Sequence, residues 1–337
     1  VNAETPEPTR LSVVVIGRNE GDRLERCLTS IFSMNPPEGG FEVIYVDSSS
    51  TDGSPERAKE LGARVIIVEP KRPTAAIGRN AGWRAATGEF VFFLDGDTIL
   101  DPDFVNTALA SFEDEKVAVV FGNRREIHPE HSMYNRVLDL DWISPAGVAD
   151  YCGGDAIIRR DVLLAVNGYD EGLIAGEEPD MCRRMRELGH VVLHIDAPMT
   201  GHDLAMTKFN QYWKRARRTG YAYAEVSLRY RRTALPLWFA ESRRNLVRGA
   251  FFVTAIPASI ALSGWMKSFL PVVVLLALFF ALSLRSAFKF RWKSDSFMTC
   301  LLYGMHSHFQ QIPIFLGQLD FSRDLSRGQR RGLIEYK

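Results

Sequence analysis

Cysteine is scarce in this chain. Cys27, Cys152, Cys182 and Cys300 lie far apart with no C-x-x-C pair. That spacing excludes a cysteine-built zinc site or a disulfide framework and fits a reducing, cytoplasmic setting. Net charge is also missing, since 41 Lys and Arg balance 41 Asp and Glu, and no nucleic-acid partner is expected. The opening VNAETPEPTR lacks the apolar run of a secretion signal, so residues 1–10 are expected to form only a polar tail. No G-x-G-x-x-G follows Ile16, which excludes the fingerprint of a Rossmann dehydrogenase. The segment GRNEGDR is not the Gly-rich, Lys-containing loop of a nucleotidyltransferase.

What is present begins with alternation. From Leu11 to Asp196 short apolar runs (LSVVVIG, EVIYVD, RVIIVE, FVFFLDGD, VAVVFG, VVLHID) alternate with amphipathic segments at 22–33, 55–61, 75–86 and 102–112. Near-continuous Val and Ile runs suit strands covered on both faces, so an α/β fold with a mostly parallel sheet is expected over residues 11–205. In such sheets ligands gather at the carboxyl ends of strands. The polar residues that follow each apolar run are therefore the ones to weigh.

The composition changes after Thr207. Residues 208–232 carry eight Lys and Arg against one acid, Glu225. Such a skew suits phosphate groups, although a solvated helix face explains it as well. With its aromatic residues the stretch predicts a basic, interfacial helix pair within 206–248. Residues 249–284 hold two nearly charge-free runs with a tip at 264–268. They predict a transmembrane hairpin, the soluble alternative being a pair of buried core helices. Arg243, Arg244 and Arg248 precede it, and Arg285, Lys289, Arg291 and Lys293 follow it, which places both ends on the cytoplasmic side of a plasma or inner membrane. The segment 297–319 contains His306, His308, Gln310 and Gln311 and is too polar for a lipid-facing span. Residues 285–337 are therefore expected to form an interfacial or re-entrant segment and a basic tail.

Candidate chemistry sits after the strands. Arg18 and Glu20 follow the first, and Asp47 the second, where a carboxylate can accept from a base N–H or a ribose hydroxyl. Asp47 alone also reads as an ordinary turn residue. Asp95-Gly96-Asp97 ends a wholly apolar strand. Two acids there are costly without a partner such as a divalent cation on a diphosphate, and Gly96 allows close backbone approach. Arg79 and Asn80, upstream, can meet phosphate and ribose, or be ordinary helix residues. Glu177, Glu178 and Asp180 open a helix. Capping explains some of that charge, yet one of the three can take a proton from an acceptor hydroxyl. His202 can complete a metal site or be a lone histidine. Trp142, Gly153, Gly154 and Asp155 mark where an acceptor would enter.

Taken in order, SVVVIGRNEGDRLERCL, VDSSSTDGS, GRNAGWRAATGEFVFFLDGDT, GGDAIIRR…NGYDE and GEEPDMCRRMRELG resemble the family 2 glycosyltransferases of GT-A fold. The resemblance covers residues 12–189. It implies that Asp47 and Glu20 hold a nucleobase, that Asp95 contacts ribose, and that Asp97 binds Mg²⁺ or Mn²⁺ on the donor diphosphate. It implies a base at Glu178, where the family has Asp, with Glu177 and Asp180 as alternatives. It places His202 where some members have a third metal ligand, which favours Mn²⁺. The Q-x-x-R-W of processive members is matched only by Gln211-Tyr212-Trp213-Lys214-Arg215, so one sugar per encounter is expected. The partners implied are a nucleotide-diphospho-sugar, a hydroxyl acceptor on a lipid or glycan, and membrane lipid. The competing reading, a catalytically silent membrane scaffold, would have little reason to hold these acids together.

Overall fold

The structure, a computed structural model, describes residues 9–328. The expected tail over residues 1–8, and Arg330 and Arg331 of the basic C-terminal tail, lie outside the described residues. The chain divides into two compact units, residues 1–127 with 144–204, and residues 128–143 with 205–337.

The first unit is built on one sheet. Its strands are β1 (Leu11–Gly17), β2 (Phe41–Asp47), β3 (Arg64–Ile67), β4 (Phe90–Asp95), β5 (Thr98–Leu100), β6 (Val117–Glu126), β7 (Gly147–Ala149), β8 (Ala156–Arg159) and β9 (Val191–His202). Their order is β3-β2-β1-β4-β8-β6-β9-β5, with β7 paired to β9. β3, β2, β1 and β4 are mutually parallel, as the Val/Ile-rich runs predict. β8 departs from this pattern, running antiparallel to both β4 and β6. Four residues of β8 and three each of β5 and β7 are too short for a period to show, so the sequence reading passed over them.

Helices α1 (Asp22–Phe32), α2 (Ser54–Glu60), α3 (Ala75–Ala85), α4 (Phe104–Ala110), α5 (Met133–Trp142), α6 (Arg160–Ala165) and α7 (Glu177–Glu187) follow in chain order. All but α5 belong to the first unit. Two apolar layers cover the sheet. Leu24, Leu28 and Ile31 of α1 pack with Val13, Val15 and Phe92 on one face, and Trp83 of α3 with Val14, Val46 and Phe93 on the other.

The second unit is helical. The expected basic helix pair is instead one continuous helix, α8 (Phe209–Tyr230). The apolar hairpin comprises α9 (Phe239–Met266) and α10 (Leu270–Lys289), both long and apolar enough to cross a membrane. α9 begins ten residues before the charge-free run, because its basic first turns are also helical. The polar segment that follows breaks at Gln310 into α11 (Phe297–Phe309) and α12 (Gln311–Ser326). α8 and α12 cross closely: a Cβ on Gly317 would stand 1.9 Å from the Arg217 carbonyl oxygen.

Candidate active site

The site grows from adjacent parallel strands. Gly17 of β1 lies beside Asp47 of β2, and Ile16 beside Asp95 of β4. The loops leaving these strands bind one another. Asn19 has φ 55°, a conformation that asparagine tolerates, and its Oδ1 accepts from Thr51 N–H at 2.8 Å. Gly21 N–H donates to Asp52 Oδ2 at 3.0 Å. Asp47 is buried and accepts from Tyr45 Oη at 2.8 Å and Ser50 N–H at 2.7 Å. Glu20 pairs with Arg23 at 2.8 Å, while Arg18 is exposed on the same loop.

β4 delivers Asp95 at the end of five fully buried residues. β5 turns back antiparallel to β9, with Thr98 opposite His202. That register sets His202 Nε2 3.3 Å from Asp97 Oδ1, with both residues buried. Asp95, Asp97 and His202 each offer a ligand atom, all within 4.8 Å of one another. Two carboxylates and an imidazole fit a divalent cation. Asp95 joins the two residues that the sequence singled out for metal.

Arg79 is the hub. Only 3% of its side chain is exposed, yet it reaches Asp95 Oδ1 at 3.0 Å, Glu177 Oε1 at 3.1 Å and Glu178 Oε1 at 2.9 Å. It thereby ties the end of β4 to the first turn of α7. Burial, and then the charge of Glu177, push the Glu178 carboxyl up to about 7. Asp180 instead faces Arg184 at 2.9 Å, and Arg184 also holds the Gly168 carbonyl. Of the three acids that open α7, Asp180 is the one paired with Arg184 rather than with Arg79. Asn80 has a similar fate. Its Nδ2 donates to the Tyr169 carbonyl at 2.9 Å and to Glu171 at 2.8 Å, and its Oδ1 accepts from Trp83 Nε1 at 2.8 Å. The expected ribose contact is not available to an amide so committed.

Two glycines differ in the loop before β8. A Cβ on Gly153 would meet nothing within 4 Å, whereas one on Gly154 would stand 2.7 Å from Arg79 Nη2 and 3.0 Å from Asp95 Oδ2. Asp155 is buried beneath, taking Arg124 at 3.1 Å and Thr200 Oγ1 at 2.7 Å. Burial raises its pKa despite Arg124. It braces the site and offers no surface to an acceptor, contrary to expectation. Trp142 lies in the second unit. Arg124 was missed by the sequence reading: it bridges Asp155 and, at 3.2 Å, Asp95. It lies on β6 in Asn-Arg-Arg-Glu, where no motif or period distinguishes one arginine from the next.

Residues 12–164 match the profile described as glycosyl transferase family 2, and residues 90–284 that of glycosyl transferase family group 2. Among curated relatives, the glycosyltransferase AglE of Haloferax volcanii is 24% identical over 68% of this chain and 79% of its own length. The pre-mycofactocin glycosyltransferase of Mycobacterium tuberculosis is 27% identical over 69% of this chain and half of its own. Among solved structures, the mannosyltransferase PcManGT from Pyrobaculum calidifontis, in complex with GDP-Man and Mn²⁺, superposes with a TM-score of 0.67. That alignment covers 95% of this chain and 89% of the neighbour at 21% identity, a likeness of fold.

Proposed function

Since the chain belongs to the family 2 glycosyltransferases, we propose that it moves one sugar at a time, with inversion, from a nucleotide-diphospho-sugar to a hydroxyl acceptor. The observation that carries this reading is the frame Asp95–Arg79–Glu178, which joins the cation-type cluster to a carboxylate of raised pKa.

A carboxyl near 7 is half ionised at neutral pH, so Glu178 can take the acceptor proton and release it afterwards. Attack then comes from the face opposite the departing diphosphate, through an oxocarbenium-like transition state. Arg79 orients Glu178 and pairs with Asp95. Asp47 and Glu20 line the nucleobase side, Asp95 meets the ribose, and Arg18 adds positive charge near the phosphates. A divalent cation held by Asp97 and His202 beside Asp95 would supply neutralisation of the leaving diphosphate. The GDP-Man and Mn²⁺ in the Pyrobaculum neighbour support a donor and a metal of these classes. Gly153, the open position of its loop, is offered to the acceptor.

The catalytic unit is assigned to the cytoplasmic face of a membrane, with a lipid-borne acceptor. In support, the apolar windows of α9 and α10 have mean hydropathies of 1.6 and 2.1 and are only 11% buried, which disfavours soluble core helices. Arginines and lysines bracket both ends, as on the cytoplasmic side.

The test is a screen of nucleotide-sugars against the detergent-purified chain, with and without Mn²⁺ and Mg²⁺. Release of nucleoside diphosphate and thermal stabilisation are read together. One donor should stabilise the protein and turn over only with metal. Folded protein that responds to no donor overturns the reading.

A further inference from the structure

A cavity lies within the helical unit. It is a groove of about 380 Å³ walled by α8, α9 and α12. Leu228, Phe239, Leu246, Phe321 and Leu325 make its sides apolar. Arg231 and Arg243 line the same groove, and both are exposed. Neighbouring acids are engaged by other arginines: Glu225 by Arg229 at 3.2 Å, Asp320 by Arg217 at 2.8 Å, and Glu241 by Arg244 at 3.7 Å. The groove thus keeps a positive rim over an apolar body.

One lining residue has an unmet acceptor. Gln318 is 3% exposed. Its Nε2 donates to the Ser242 carbonyl at 2.9 Å, which fixes the amide's orientation because a carbonyl only accepts. Its Oε1 accepts from none of the described residues. A buried acceptor without a donor is costly. From the groove the surface of α9 continues apolar, with Val247 62% and Phe251 45% exposed.

We propose that this groove binds one anionic glycerophospholipid, whose phosphate meets Arg231 and Arg243 and whose acyl chain follows α9. This lipid is a resident of the groove and not the sugar acceptor. The proposal rests on reading α9 as a helix that enters the bilayer.

The full chain, held in amphipol, is titrated with dihexanoyl phosphatidylglycerol, dihexanoyl phosphatidylcholine and inorganic phosphate. Binding is read by native mass spectrometry, and nucleotide-sugar turnover on the same sample. Phosphatidylglycerol should bind once and saturably. Arg231→Gln with Arg243→Gln should weaken it about tenfold or more, on the usual worth of interfacial cations. Leu246→Trp, which fills the groove but leaves the cations, should weaken it as well, and turnover should persist in all variants. Equal binding of phosphatidylcholine, unchanged binding in both variants, or binding of inorganic phosphate as tight as that of the lipid overturns the proposal. If the chain fractionates without detergent yet still takes phosphatidylglycerol selectively, the groove assignment stands and the membrane reading fails.

Discussion

Arg79 and Glu178 form an ion pair of 2.9 Å with only 3% of the arginine side chain exposed, and the same guanidinium holds Asp95 at 3.0 Å. A strand end and a helix start, far apart in sequence, are thereby held in one arrangement. Breaking a buried pair by removing one partner leaves an uncompensated charge, so the two halves of the site stand or fall together.

Glu178→Gln should lose transfer by about 10²–10⁴-fold while keeping donor affinity, because the near-isosteric amide removes the proton acceptor while Arg79 keeps Asp95 and Glu177 as partners. Asp180→Asn should act through stability, since Asp180 faces Arg184. Single-turnover transfer and donor titration separate the two. If the Asp180 variant is dead with full stability and the Glu178 variant is active, the base is Asp180.

The pH profile follows from the raised Glu178 pKa. A base must be ionised, so kcat/KM should rise with pH through about 7 and level above it. Glu177 is the second cause of that rise, so Glu177→Gln should move the midpoint to lower pH. A midpoint that stays or moves upward contradicts the assignment. The check is kcat/KM across pH 5–9 in both proteins.

Asp97→Asn and His202→Ala should each abolish the metal response of donor turnover with little change in fold, because the two side chains face each other at 3.3 Å. Metal titrations followed by donor turnover and by circular dichroism decide this. Full activity with metal still required would remove these residues from the cation site.

Gly154→Ala should cost activity and Gly153→Ala should not. The new methyl would press on Arg79 Nη2 at 2.7 Å in the first case and meet nothing within 4 Å in the second. A displacement of about 1 Å at such a hub is worth about 10²-fold in rate. Initial rates of the two variants, beside their melting curves, test the contrast.

Arg124→Gln should destabilise the first unit by about 3–5 kcal/mol, because Asp155 is left buried without its cation. Adding Asp155→Asn should recover much of that loss. Urea denaturation of single and double variants gives the coupling. Strict additivity would show that the pair does not act as a unit.

Membrane attachment is tested by fractionation of the full chain. High salt should not extract it, because apolar burial is not screened, whereas detergent should. A truncation after Arg232 is a poor test, since it strips α8 of α12, whose Ile314 backbone lies against Gly220 and whose Gly317 lies against the Arg217 backbone. Recovery of the full chain in the soluble fraction without detergent would make the hairpin a core element.

The local pattern determined much. Apolar runs marked β1, β2, β4, β6 and β9, and in β1, β2 and β4 the run is buried nearly throughout, as in a strand covered on both faces. Charge-free length specified α9 and α10. Placing acids directly after buried strands marked Asp47, Asp95 and Asp97, because such charge is tolerated only with a partner. The tertiary structure alone decided who those partners are. β8 is four residues long, and its antiparallel insertion between β4 and β6 brings Asp155 beneath Asp95. Arg124 looks like its neighbour Arg125 until β6 takes its place in the sheet. Asn80, marked for a ligand by its motif, is turned by α3 onto the Tyr169 loop. Glu178 and Asp180 are two residues apart on one helix. Helical geometry turns the first to Arg79 and the second to Arg184, a difference of partner that sequence spacing does not show.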